Sequence, residues 1–379
     1  MRNVYWINIK RFDENISKAP RLEIAEHLID QKLSVTLLTG FRNTKYIPKD
    51  YKVKVIYFNS LQNFGLFRIS LGIKILRWLI NNLKEDDIVI MSPGSLWIGF
   101  ITKFFIKNCK THLDVRTLPV EVNDIKKKIN YLIFWYLSFR LFSHFPKGFS
   151  FITEDLKKSI EIEFKLKFQD YVIWHSGVNM KHFELVRTNN NKNEKHFTIT
   201  YIGVITKNRG IDNVIQALFG LKDELIDKII FRIIGDGPYL NSLKNIVRNL
   251  DIERNVVFEG YVPYESIPLH IIDTDFFICP LPNRPEWNVS SPIKIFEYLA
   301  CGRPIILTPI VAHKNIIKNS QFVVWTKTDM VCDIQDAITF AYSNREKYYK
   351  CAKLAPEFVK KEYSWNAQGQ KFLKYLYHL

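Results

Sequence analysis

Long apolar stretches are missing from this 379-residue chain. No run of about 18 or more hydrophobic residues occurs, which excludes a membrane-spanning helix. Cysteine is scarce: Cys109, Cys279, Cys301, Cys332 and Cys351 are odd in number and scattered. With no C-x-x-C pair and no metal-ligand spacing, they exclude a disulfide framework and point to reduced thiols in a cytoplasmic setting. The N-terminus turns polar by Asn8 and Lys10, too early for a signal peptide, and reads instead as a first strand. Repeats of solenoid length are absent. So is a glycine-rich loop after that first strand, where Asn15-Ile16-Ser17-Lys18-Ala19-Pro20-Arg21 stands instead.

What is present fits a two-domain globular chain, with 47% hydrophobic and 24% charged residues. The net charge is +16, and its excess is uneven. Residues 1–185 hold 29 Lys and Arg against 18 Asp and Glu, a balance of +11, which leaves +5 for the remainder. Such a field favours phosphates, anionic lipid surfaces or nucleic acid.

Short β-branched and aromatic runs alternate with helical stretches, the pattern of a parallel sheet covered on both faces. Val4–Ile9, Ser34–Thr39, Val53–Phe58, Asp87–Met91, Thr111–Val115, Gly148–Ile152 and Tyr171–Trp174 read as strands. Arg21–Asp30, Phe67–Leu83, Ile125–Phe142 and Glu154–Phe164 read as helices. The polar segment Arg187–Lys195 interrupts the series as a linker. A second series follows, with strands at Phe197–Ile202, Ile229–Ile234, Asn255–Phe258, Asp275–Cys279 and Pro304–Leu307, and helices at Asn344–Lys361 and Trp365–Leu379. The expected division is a domain over residues 1–184 and another over 185–364. Ligands of open parallel sheets bind beyond the carboxyl ends of strands, so the loops after Ile202, Ile234, Phe258 and Cys279 are where chemistry is expected.

One of those regions is rich in signals. In Ser290-Ser291-Pro292-Ile293-Lys294-Ile295-Phe296-Glu297-Tyr298-Leu299-Ala300-Cys301-Gly302-Arg303-Pro304, Ser291 suits a helix N-cap and Pro292 the first helical position. Gly302 ends that helix. Its free N–H groups and positive dipole end form a cradle for a diphosphate, Lys294 adds a mobile charge, and Glu297 on the second turn can accept both hydroxyls of a ribose. An ordinary capped amphipathic helix would show the same local pattern.

The pattern S-P-x-K-x-x-E-Y-x-A-x-G-x-P resembles the donor motif of the retaining family 4 of glycosyltransferases, which have the GT-B fold. The resemblance implies an α/β chain of two facing Rossmann-like domains with parallel sheets, with the C-terminal helix near 365–379 packing back on the first. It also implies a nucleoside diphosphate sugar, UDP- or GDP-linked, as donor substrate, retention of anomeric configuration, and neither cofactor nor essential metal. Tyr201-Ile202-Gly203-Val204-Ile205-Thr206-Lys207-Asn208-Arg209-Gly210 resembles the family's phosphate-binding stretch, with Val204 where an arginine is expected and Arg209 where a lysine is expected. Arg209 can grip a phosphate bidentately, or it can be a solvated surface charge. Gly235-Asp236-Gly237-Pro238 lets backbone approach a ligand, and Phe258-Glu259-Gly260-Tyr261-Val262-Pro263 resembles the base-binding loop, with Val262 at the nucleobase edge. Trp174-His175-Ser176-Gly177-Val178-Asn179 resembles the family's interdomain hinge, and Tyr363-Ser364-Trp365 a usual family ending.

Two departures matter. The family's acid–seven residues–acid pattern ends at Glu297, but its first acid falls on Val289, and Glu286 is out of register. In His112-Leu113-Asp114-Val115-Arg116-Thr117-Leu118-Pro119, which resembles the family's D-V-R-D-x-x-P segment, Thr117 replaces the second Asp and Arg116 stands where many relatives carry a histidine. Arg116 can stabilise a leaving diphosphate or an acidic acceptor group, or pair with a neighbouring carboxylate. Catalytic roles fall to Arg116, Arg209 and Lys294. Gly203, Arg209, Gly235, Gly237, Val262, Ser291, Pro292, Lys294 and Glu297 hold the donor. Lys18 and Arg21 are candidates for an anionic acceptor. Asp273-Thr274-Asp275 mimics a D-x-D metal motif but directly precedes a strand, where a structural role is expected.

The expected activity is transfer of a sugar to a glycan or lipid-linked acceptor in cell-surface polysaccharide or glycolipid assembly. A membrane-facing surface is suggested by the stripe Ile69, Ile73, Leu76, Ile80 and Leu83 beside Arg68, Lys74 and Arg77, and by Lys126-Lys127-Lys128 before Ile129–Phe142. The same helices could simply cover a sheet. An epimerase acting on the nucleotide sugar is the alternative within the fold. A nucleic-acid partner is set aside, because no recognised motif occurs and the aromatics lie in periodic segments.

Overall fold

The computed structural model describes residues 2–11, 18–41, 51–61, 66–118, 135–184, 186, 196–317 and 321–379. The expected linker Arg187–Lys195 lies outside these residues, as do residues 125–134 of the helix expected over Ile125–Phe142. The chain divides into two compact units, Met1–Ser176 with Trp365–Leu379, and Gly177–Ser364.

The first unit holds a seven-stranded sheet: β1 (Asn3–Arg11), β2 (Ser34–Gly40), β3 (Lys54–Phe58), β4 (Ile88–Met91), β5 (Lys110–Val115), β6 (Gly148–Phe151) and β7 (Tyr171–Ile173), in the order β3-β2-β1-β4-β5-β6-β7. Every pairing is parallel. Strand β4 is buried throughout and reads as a continuous apolar run, as a strand covered on both faces must. The helix Leu66–Asn82 turns Phe67, Leu71, Ile75 and Leu79 inward. Of the apolar stripe noted in the sequence, Ile69 and Ile73 are exposed on another face of that helix, while Leu83, just past its end, is buried.

The second unit repeats the plan with six parallel strands: β8 (Phe197–Ile202), β9 (Ile229–Ile234), β10 (Val256–Gly260), β11 (Phe276–Cys279), β12 (Ile305–Leu307) and β13 (Val323–Trp325), in the order β10-β9-β8-β11-β12-β13. Strand β13 was not among the strands expected. At three residues it is too short for a periodicity signal, and pairing with β12 alone defines it. The long helix expected over Asn344–Lys361 is broken into Arg345–Ala352 and Ala355–Tyr363. The break falls before Pro356, which suits a first turn and cannot continue a helix.

The last helix, Trp365–His378, belongs to the first unit although the second precedes it in sequence. Phe372 packs between Trp6 and Trp174, with ring centroids 5.9 Å and 5.4 Å away. The buried Gln368 side chain accepts the His175 N–H at 2.8 Å. This fixes the helix laterally and along its axis. Phe372→Ala is expected to destabilise the unit by about 3–5 kcal/mol, the cost of emptying an aromatic core site. Urea denaturation followed by tryptophan emission checks this, and an unchanged midpoint would remove the helix from that core.

Candidate donor site

In the second unit the strand order reverses between β8 and β11, which opens a crevice at their carboxyl ends. Gly203 follows β8 and Gly235 follows β9. Their backbones lie side by side, with the Gly203 N–H donating to the Ile234 carbonyl at 2.9 Å and the Gly235 N–H to the Gly260 carbonyl at 2.7 Å. Gly235 has φ 143°, and a Cβ there would run into the Gly203 carbonyl. A Cβ on Gly237 would collide with the Ile205 backbone. The two glycines therefore set how closely these loops pack and leave a backbone surface bare of side chains.

Two cations converge on this surface. Lys294, on the first turn of the helix Ile293–Ala300, places its Nζ 3.9 Å from the centre of the Tyr201 ring. That ammonium is buried without a hydrogen-bond partner among the described residues. A Cβ on Gly203 would meet it at 2.9 Å. The Arg209 guanidinium lies 5.1 Å from the centre of the Trp287 ring, and the Trp287 indole N–H donates to the Asn208 carbonyl at 2.8 Å. Burial pushes the Cys279 thiol up, while Lys294 and then Arg209 pull it down, so both positive fields reach the end of β11. The aromatic platforms Tyr201 and Trp287 escaped the sequence reading. Their one signal was proximity, two residues before Gly203 and three before Ser290.

The helix begins one residue later than expected. Pro292, with ψ 112°, is the cap residue and Ile293 the first helical one, so the proline ring precedes the helix and the buried Ser291 precedes the cap. The first N–H groups of the helix, which lack intrahelical partners, lie beside Lys294. Glu297, half-buried on the second turn, has its carboxyl pushed up to about 7 by burial, with Lys294 and a hydrogen bond from the Tyr264 hydroxyl acting in the opposite direction. Val262 packs at the edge of the same core. Behind them the Tyr298 hydroxyl donates to the Ile202 carbonyl and accepts the Ile202 N–H at 2.8 Å, fastening the helix to the end of β8. Val289 is buried, and Glu286 lies on the separate short helix Pro285–Asn288.

Gly203, Arg209, Gly235, Gly237, Val262, Ser291, Pro292, Lys294 and Glu297 thus all belong to the second unit. Arg116 belongs to the first, after β5. Among the described residues no carboxylate forms an ion pair with it. Its guanidinium lies 3.3 Å from the centre of the Trp174 ring and donates to the Trp174 carbonyl at 2.5 Å, while Nη2 is buried without a hydrogen bond among the described residues. Burial lowers its pKa to about 9 against the opposing pull of Asp114. Arg21 is buried nearby and acts electrostatically on both groups; the Lys18 side chain lies outside the described residues. Asp273 pairs with Arg232, and Asp275 accepts the Thr198 N–H and the Tyr349 hydroxyl, so both carboxylates have structural partners.

A seven-plus-six-stranded pair of parallel α/β units is the GT-B architecture of glycosyltransferases, and solved structures agree. A sucrose-phosphate synthase from Thermosynechococcus elongatus superposes with TM-score 0.78 at 12% identity, covering 100% of this chain and 98% of that one. HepE of Anabaena in complex with UDP superposes with TM-score 0.76 at 14% identity, covering both chains fully. Residues 182–358 match the family described as glycosyl transferases group 1. Among curated relatives, the alpha-monoglucosyldiacylglycerol synthase of Streptococcus pneumoniae is 28% identical over 303 residues, 74% of this chain. That match spans 56%, about half, of the relative's own length. A GDP-mannose-dependent phosphatidylinositol monomannoside mannosyltransferase of Mycobacterium tuberculosis is 21% identical over 47% of this chain and 47% of its own.

Gly235→Ala is expected to destabilise the second unit by about 2 kcal/mol or more, because φ above zero and the clash with Gly203 add. Urea unfolding followed by circular dichroism checks this, and wild-type stability would mean that the two loops can part without cost.

Proposed function

We propose that the protein transfers a sugar from a UDP- or GDP-linked donor to a hydroxyl of a glycan or lipid-linked acceptor, with retention, in cell-surface polysaccharide or glycolipid assembly. The observation that carries this reading is the buried Lys294 ammonium, without an acceptor among the described residues, beside Arg209, the bare glycine backbone and a helix N-terminus, with a carboxyl one turn further on. That arrangement matches a diphosphate joined to a ribose: phosphate at Arg209, Lys294 and the first N–H groups, diol at Glu297. Gly203, Gly235 and Gly237 allow the approach, Ser291 and Pro292 shape the helix start, and backbone at Val262 meets the base.

The acceptor hydroxyl adds to the anomeric carbon as the bond to the bridging phosphate oxygen breaks, its proton passes to the departing phosphate, and the nucleoside diphosphate leaves. Negative charge collects on the departing phosphate, where prepositioned cations lower the barrier without reorganising. Arg116, in the first unit, serves the leaving diphosphate or an acidic group of the acceptor. No cofactor beyond the donor enters this scheme. Retention and the absence of a metal rest on the resemblance of the motifs. The complexed UDP of HepE supports the donor class, and the glycolipid synthases among the relatives support the acceptor class.

A peripheral position on the cytoplasmic face of an anionic membrane completes the proposal. No described helix is long and apolar enough to cross one. Exposed Ile69, Ile73, Phe104, Phe105 and Leu141 instead accompany the basic excess of the first half. Phe104→Ser/Phe105→Ser is expected to lower cosedimentation with phosphatidylglycerol vesicles several-fold while leaving UDP binding intact. Equal sedimentation would remove that face from the membrane reading.

A melting-temperature screen against UDP, GDP and their sugars tests the donor site, since a ligand at 100 times its Kd stabilises by about 2.7 kcal/mol. UDP or GDP is expected to raise Tm, and Arg209→Ala and Glu297→Gln to diminish the shift. Equal shifts in all three proteins would overturn the site. Product analysis separates a new glycoside from an isomerised donor, which would make the protein an epimerase.

pH gives a second check. A carboxyl held near 7 costs the unliganded fold stability as pH climbs from the ordinary carboxyl range to about 7, where it ionises. A ribose diol favours the ionised form, so wild-type affinity is expected to rise through that window, and the wild-type advantage over Glu297→Gln to grow with it. Calorimetric titration at pH 6 and pH 9 reads the ratio, and a ratio independent of pH would remove Glu297 from the ribose.

A further inference from the structure

Tyr264 was not among the expected site residues, and the motif that ends at Pro263 stops just before it. It opens the short turn Tyr264–Ser266 that follows β10 and the loop carrying Val262. Three observations single it out. Its hydroxyl donates to the Glu297 carboxyl. One face of its ring is covered by the His182 imidazole, with centroids 4.3 Å apart and planes 10° from parallel. Its backbone is tied to the same histidine, whose Nε2–H donates to the Tyr264 carbonyl at 2.8 Å. The residue nevertheless remains 41% exposed.

A tyrosine that only filled space would need no such double fixation. Stacking and the backbone hydrogen bond fix the ring plane, and with it the hydroxyl that reaches the carboxyl. An ionised carboxylate has about four lone-pair sites, so the Tyr264 hydroxyl and both hydroxyls of a ribose can be accepted together. The tyrosine therefore supports the bound state and need not leave it.

We infer that Tyr264, clamped by His182, is a positioning residue of the donor site: it orients the Glu297 carboxylate toward the ribose diol and stabilises the ionised form that accepts it. The inference rests on the donor reading proposed above and deepens it. Among the described residues few groups act on Glu297. Lys294, Tyr298 and Cys301 flank it along the chain, and Tyr264 approaches from the loop with His182 behind it. The helix Ala355–Tyr363 packs on this one through Tyr363, stacked on Phe296, and keeps Glu357, Lys360 and Lys361 exposed. Removing the tyrosine hydroxyl takes a donor from the ionised form, so the carboxyl pKa must rise.

Tyr264→Phe keeps the ring, the histidine stack and the backbone contact. UDP, with GDP in parallel, is titrated calorimetrically into the full chain at pH 6 and pH 9. A rise of one pKa unit makes the variant about ten-fold weaker than wild type at pH 6 and less than about two-fold weaker at pH 9. Glu297→Gln should abolish the difference, leaving Tyr264→Phe/Glu297→Gln no weaker than Glu297→Gln alone. Equal weakening at both pH values, or none, would overturn the inference while leaving the donor site standing. Wild-type protein that binds neither nucleotide would overturn the donor reading, and this inference with it.

Discussion

Taking an ammonium group out of water is costly unless something negative receives it. Lys294 is held in that condition at the carboxyl ends of β8 and β11. The quadrupole of Tyr201 supplies part of the missing solvation, an interaction worth about 2 kcal/mol when desolvated. It supplies no hydrogen-bond acceptor. Among the described residues none offers one. Gly203 has no side chain to offer, and Val289 is an apolar residue where the related motif has an acid.

Other features of the second unit follow from keeping that charge in place. Tyr298 satisfies both backbone groups of Ile202, which fixes the helix carrying Lys294 against the strand that carries Tyr201. Its ring stacks on Phe277 of β11 with centroids 4.1 Å apart, so the helix is fastened on both sides of the switch point. Trp287 does for Arg209 what Tyr201 does for Lys294. In both cases a cation rests on a ring face, and the geometry is set before any ligand arrives. Preorganisation of this kind keeps the cost of orienting charges out of the binding step.

The first unit uses the same device differently. Arg116 stacks on Trp174, and Trp174 packs on Phe372 of the terminal helix. The side chain after β5 is therefore held through a contact supplied by the last residues of the chain. Charge is also balanced more tightly there: Arg21, Asp114 and Arg116 act on one another in a buried setting, with His112 kept neutral by burial at about 3.

How much of this could be read from the sequence depended on the range of the interaction. Twelve of the thirteen strands carried their own signal, short β-branched and aromatic runs set between helical stretches. The two-domain α/β plan followed from alternation, and the GT-B class from the family resemblance of the S-P-x-K-x-x-E segment, whose spacing places a cation on the first turn of a helix and a carboxyl on the second. Local rules reached their limit at the helix start, where Pro292 takes the cap position, and at the three-residue strand β13. Contacts between distant residues were invisible: Tyr201 beneath Lys294, Trp287 beneath Arg209, Tyr264 on Glu297, and Trp174 rather than a carboxylate beneath Arg116. The sequence by itself determined the elements and the residue types at the strand ends, because periodicity and capping act within a few residues. Only the tertiary structure decided which ring each cation rests on and which charge is left without a partner, because those depend on strand order, and strand order joins residues up to about a hundred positions apart.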